Sequence, residues 1–175
     1  MSKFHLSIKS FILLAAIILF VSSCTKDDTV NTSYVGTWSL TLSQSGMSMK
    51  DNMTFTKDGF TDIMQINNPV TNKWVDYIKT IGTISVSGST MTTTYTGIGI
   101  STIDPLTGPT GTITMYNTGN SNFQSLLTVA GMPLSFDSKF SISGNNMTMM
   151  TDLNGDGDYT DAGETSVYIK QQNYL

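Results

Sequence analysis

The densest chemistry in this 175-residue chain lies in D-L-N-G-D-G-D-Y-T-D-A-G-E, residues 152–164. That stretch holds five of the thirteen acidic residues, including the only glutamate. Calcium is a hard cation that takes six to eight oxygen ligands, and an EF-hand loop supplies them at positions 1, 3, 5, 7, 9 and 12 with Gly at 6. Counting from Asp152 puts Asn154 at 3, Asp156 at 5, Gly157 at 6 and Asp158 at 7, which matches the first half of that spacing. Gly163 occupies position 12, so the closing acid, Glu164, arrives one residue late. The flanks M-T-M-M-T and T-S-V-Y-I-K read as strands, whereas an EF-hand needs helices. A structural calcium loop between strands is the reading adopted, with Asp152, Asn154, Asp156 and Asp158 as ligands and Asp161 or Glu164 closing. The competing reading is a solvated hairpin in which Asn-Gly and Asp-Gly only turn the chain. Crowded carboxylates repel unless neutralised, and Lys139 is the only lysine between Asp137 and Lys170.

Cys24, the only cysteine, excludes an intramolecular disulfide. Ahead of it, Lys3 and Lys9 flank a charged start, and Phe11 to Val21 is an apolar run too short to span a bilayer, so it reads as an export signal. The sequence Val21-Ser22-Ser23-Cys24 resembles the lipobox of bacterial lipoproteins. That resemblance implies cleavage before Cys24 and a thioether-linked acyl anchor of palmitate type. Thr25-Lys26-Asp27-Asp28 resembles the export tag of Bacteroidota-type lipoproteins, implying the outer membrane and exposure at the cell surface, with a periplasm-facing anchor as the alternative. Two acyl chains anchor stably. The acidic loop in turn resembles the D-x-N-x-D-G loops that bind calcium between strands in secreted bacterial proteins.

Processing also removes His5, the sole histidine. Without imidazole or a free thiol, Ser-His and Cys-His nucleophiles and His- or Cys-based zinc sites are excluded. The seven remaining lysines face thirteen acids with no arginine, which argues against nucleic-acid recognition. Two aspartates could still act as acid and base on a glycoside. Of the candidates, Asp58 sits in a turn and Asp104 precedes Pro105; Asp51, Asp62, Asp76 and Asp137 read as isolated on strands. A non-enzymatic protein is therefore expected. Asp51 shares the parity of Met47, Met49, Met53 and Phe55, which would aim it inward as a partner for a ligand's polar head. A bulge at K-D-N returning it to solvent is the favoured expectation.

These residues must be positioned by strands. From Tyr34 onward, short Thr-, Val-, Ile-, Tyr- and Phe-rich runs alternate with Gly, Asn, Asp and Ser. Trp38, Leu40 and Leu42 share one parity, and K-D-G at 57–59 predicts a tight turn. Further strands are expected at 74–86, 90–95, 112–116, 122–129, 134–142, 146–151 and 165–171, nine or ten in all. No window carries a convincing helical period, so helices should be few and short. V-S-G-S-T-M-T-T-T (86–94) and I-S-G-N-N-M-T-M-M (142–150) echo one another as hairpins of one style. Methionines 47, 49, 53, 64, 91, 115, 147, 149 and 150 would supply a pliable interior, and Trp74 and Tyr77 are placed either at a mouth or on the surface.

Antiparallel strands hide their edges by closing into a barrel. Val35-Gly36-Thr37-Trp38-Ser39-Leu40-Thr41 resembles the opening of lipocalin-like domains, whose first strand carries Gly-x-Trp. The resemblance implies an all-β, up-and-down barrel with Gly36 and Trp38 at one end; a β-sandwich is the alternative. In many lipocalins a late arginine packs on that tryptophan; here Lys170 must substitute, or the end closes differently. The expected organisation is a signal peptide (1–23), a lipidated N-terminus and polar tether (24–33) and a barrel domain (34–175). The expected function is a lipid-anchored envelope protein holding a small apolar or amphipathic ligand. The alternative is a structural or accessory surface lipoprotein with a filled core that contacts envelope proteins or glycans.

Overall fold

The computed structural model describes residues 32–44, 47–153 and 155–172. The expected signal peptide, Cys24 and most of the expected tether lie outside the described residues, as does Asn154.

Among the described residues nine strands and one helix follow in order: β1 (Gly36–Gln44), β2 (Met47–Phe55), β3 (Gly59–Asn68), β4 (Lys73–Ser87), β5 (Thr90–Asp104), β6 (Gly108–Asn117), α1 (Ser121–Val129), β7 (Ser135–Ser143), β8 (Asn146–Thr151) and β9 (Thr165–Lys170). Each strand from β1 to β5 pairs antiparallel with the next; β5 pairs β7, and β7, β8 and β9 continue the series until β9 returns to β1. Eight strands thus close on themselves, and β6 is an extra strand outside the cycle. Closure leaves these eight without an open edge, which is why the barrel prevails over a sandwich.

The detour through β6 depends on the length of β5. Its first part, Thr90 to Thr94, pairs with β7, and its second, Gly97 to Asp104, pairs with β6. Between the two the β4–β5 register shifts at Ile81/Gly82. A Cβ on Gly82 would lie 2.1 Å from the Thr94 carbonyl oxygen, so this crossing requires glycine. The expected strand at 122–129 is corrected to α1. Asn120 caps it by accepting from the Asn122 N–H, and Phe123 and Leu127 are buried on one face. Gly131, at φ +68°, ends it while its N–H donates to the Thr128 carbonyl.

The barrel has a packed core around Trp38. Tyr34, Trp38, Phe55, Ile84, Met91, Phe140 and Met147 are buried together there. Tyr34 meets Phe55 and Phe140 edge to face at 6.3 and 6.0 Å. The Trp38 indole N–H donates to the Tyr34 carbonyl at 2.7 Å, so its polar group is satisfied where no water reaches. Lys170 places its Nζ 5.1 Å from the centre of the Trp38 ring, taking the place expected for it. Gly36 serves the same corner. Its φ of +131° excludes ordinary side chains, and a Cβ there would come within 3.3 Å of Lys170 Cε. The echoing hairpins also fall into place: Gly88 and Gly144 turn at φ +61° and +58°, and Met91 and Met147 are both fully buried.

Candidate functional site

Beside this core the barrel holds a cavity of about 210 Å³. Phe55, Phe60, Tyr95, Phe136 and Met149 form its apolar wall, and Leu153, Gly163 and Glu164 from the loop between β8 and β9 form its outer side. A second space of about 160 Å³ shares Tyr95, Phe136, Thr151 and Leu153 with it and adds Gly131, Met132 and Pro133 from the segment after α1. Leu153 borders both and is 68% exposed, which places it at the rim. Ring packing fixes the wall: Tyr95 lies 5.7 Å from Phe60 and 5.6 Å from Phe136.

Two carboxyls stand at the polar side. In β1–β2 and β2–β3 the register runs unbroken through Asp51, which lies opposite Leu40 and Met64. The bulge expected at K-D-N is therefore absent, and Asp51 points inward. The reason lies on the other face of the same strand. Ser39 Oγ donates to Asn52 Oδ1, Asn52 Nδ2 to Gln65 Oε1, and Gln65 Nε2 to Asp76 Oδ1, a polar ladder across four strands that holds Asn52 outside. Alternation along the strand then sends Asp51 in. Asp62, directly opposite Met53 on β3, is the diagonal neighbour of Asp51 on that inner face. Reading these two aspartates as isolated is thus corrected: the hairpin brings them together.

Their surroundings are dry. Tyr168 on β9 donates its hydroxyl to Asp51 Oδ2 at 2.8 Å. Asp51 Oδ1, Asp62 Oδ1 and Thr80 Oγ1 are buried without a hydrogen-bond partner among the described residues, the link between the two carboxyls, which needs a proton, aside. Burial pushes the Asp62 carboxyl well above the usual carboxylate range, and its hydrogen bond with Asp51 and the charge of that neighbour push the same way; the Thr80 hydroxyl opposes the rise. Tyr95 and Tyr168 are driven up by burial and by the same two carboxyls, so both stay protonated phenols. The arrangement is a proton-sharing acid pair, with Asp62 lining the cavity and Asp51 behind it.

Compared with protein-family models, curated proteins and solved structures, the chain matches none. The cavity and its acid pair therefore carry the functional argument alone.

The acidic loop is organised on itself. Asp152 accepts from the N–H groups of Gly155 (2.6 Å) and Gly157 (2.8 Å), and Asp156 accepts from Asp158 at 2.8 Å. Asp158 accepts from Tyr159 and Thr160, and these bonds together with the charge of Lys139 hold it below the usual range. Lys139 also lies 4.0 Å over the Tyr159 ring, so it is the cation that answers this loop. Glu164, only 3% exposed, accepts from the Leu153 and Asp161 N–H groups and joins the two ends of the loop beside the cavity. Among the described residues no three acidic side chains converge as a metal site would need. Trp74 lies in an open surface groove with Asn68, Val75 and Pro109, away from the cavity. Of the methionines expected inside, Met91, Met147 and Met149 are buried and Met53 packs against them.

Proposed function

We propose that this chain is a lipid-anchored cell-envelope protein whose barrel holds a small apolar or amphipathic guest. The observation carrying the reading is the cavity walled by Phe55, Phe60, Tyr95, Phe136 and Met149 inside a closed barrel. Apolar walls with a few convergent polar groups are the usual composition of a small-molecule site. At about 210 Å³ the space is below the roughly 300–1,000 Å³ of drug-sized sites, so the guest is small or enters by one end. The anchor rests on the likeness of Val21-Ser22-Ser23-Cys24 to a lipobox, and the role is binding rather than catalysis. Calcium in the 152–164 loop belongs to the same proposal, with Asp152, Asn154, Asp156 and Asp158 as ligands and Asp161 or Glu164 closing.

Residues 32–172 close into a barrel with its own core, so a Cys24→Ser chain serves for solution work. An environment-sensitive dye should saturate a single site in that protein. Ser166→Phe, which fills the cavity from β9, should abolish the signal. A dye response unchanged by Ser166→Phe refutes the site, and no response in the parent protein favours the filled-core accessory role. Fatty-acid labelling that disappears in Cys24→Ser supports the anchor; labelling that persists refutes it.

A further inference from the structure

The chemistry at the polar side of the cavity narrows the class of guest, an inference that rests on the binding role proposed above. We infer that the guest carries a protonated amine, which docks on Asp62 with Asp51 as the positioning residue behind it. Asp62 lines the cavity and keeps Oδ1 buried without a donor from the surrounding chain, and Asp51 Oδ1 is left in the same state. Buried polar atoms are almost always paired, and the pairing open to these two is a proton held between the carboxyls, which a guest's donor can replace. Among the described residues no lysine lines the cavity, and its other ionisable members are Glu164, Tyr95 and Tyr168. Glu164 is occupied by the Leu153 and Asp161 N–H groups. Tyr168 already donates to Asp51.

A donor that replaces that proton must come from outside. An alkylammonium head brings three N–H donors and no acceptor, and its chain would lie along Phe60, Tyr95 and Phe136. A carboxylate head would instead add a second negative charge beside the pair. An alcohol brings one donor and no charge. On binding, the ammonium takes the place of the proton shared by Asp62 and Asp51, and that proton leaves to solvent. The charge within the barrel stays constant, which is why a dry site can accept a cation.

The experiment uses the Cys24→Ser chain and three probes of equal length: octylamine as octylammonium, 1-octanol and octanoate. Titration calorimetry at pH 7 should show octylammonium binding roughly ten- to a hundredfold tighter than octanol, the range of a charge-assisted hydrogen bond, with octanoate weakest. Repeating the titration in buffers of different ionisation heat should show proton release for octylammonium and none for octanol. Asp62→Asn should abolish the proton release and narrow the gap between octylammonium and octanol. Should octylammonium and octanol bind equally, or octylammonium bind without releasing a proton, the amine assignment fails and the binding role stands. Failure of all three probes overturns both.

Discussion

Asp62→Asn tests the acid pair without any ligand. The amide introduced by that substitution can donate an N–H toward Asp51 as the protonated carboxyl does, so the variant copies the neutral form. In the unfolded chain Asp62 ionises near 3.8, whereas burial and Asp51 hold it protonated well above that in the fold. A raised carboxyl stabilises the fold fully below the unfolded value, and that contribution is lost as pH rises toward the folded one. Wild type should therefore weaken relative to Asp62→Asn by at most about 1.4 kcal/mol per pH unit across that window. Between pH 5 and 7 the gap can widen by no more than about 2.7 kcal/mol. In a domain of this size that is roughly 5–10 °C in Tm. Urea unfolding or thermal melts of the two proteins from pH 4 to 8 read the effect directly. The curves should nearly coincide at the acid end and diverge upward, with the variant the more stable. Asp51→Asn should give only part of that relief, because burial, the larger cause of the rise at Asp62, remains. Parallel curves at every pH would show that no proton is shared, and the acid-pair account would fall.

Lys170→Met should destabilise by about 0.5–1 kcal/mol through loss of the cation over Trp38, with Lys170→Arg restoring most of it; equal melting of all three refutes the contact. Gly82→Ala puts a methyl 2.1 Å from the Thr94 carbonyl oxygen and should cost at least about 1–3 kcal/mol, whereas Gly88→Ala, with open space around its missing Cβ, should reflect only the strain of its φ of +61°. Equal losses at the two positions would argue against the β4–β5 crossing. Excess calcium at a hundred times its Kd should add about 2.7 kcal/mol relative to chelator, and an unmoved midpoint removes the ion from the loop.

Much of this fold is readable in short stretches. Gly36-x-Trp38 with a cation late in the chain specifies the closed end, because a buried indole needs both an acceptor and something over its face. The Ser-Gly turns at 87–88 and 143–144 place Met91 and Met147 inward by counting. Asp51 is the instructive failure. Its parity points inside, yet a lone carboxylate there looks unfavourable, and the bulge offers an escape. The signals against that escape are present in the chain. The K-D-G turn sets Phe55 opposite Phe60, so Met53 falls opposite Asp62 and Asp51 opposite Met64. Two acids on one face follow. The Tyr168 hydroxyl, 117 positions away, has no local signal that pairs it with Asp51. The helix escapes the sequence reading for a different reason: Asn120, Phe123, Leu127 and Gly131 give cap, spacing and stop, but the β-branched Thr128 and Val129 and a chain full of strands favour extended structure locally.

Two kinds of buried acid stand against each other in this barrel. Glu164 is enclosed, and each of its carboxylate oxygens accepts a loop N–H; that is how a fold uses a carboxylate to join two segments. Asp51 and Asp62 share the same interior but keep two acceptors without donors from the surrounding chain. A barrel under selection for stability alone has a simpler solution, since Met and Ile already occupy neighbouring inner positions and either would pack there without a desolvation penalty. Tyr168 offsets part of the penalty by donating to Asp51. Asp62, the member that reaches the cavity, has only the Thr80 hydroxyl to lower its pKa. A perturbed acid in a cavity is a functional-site candidate. The less compensated half of the pair faces the open space, and that placement is the physical reason for seeking the missing donor on a ligand.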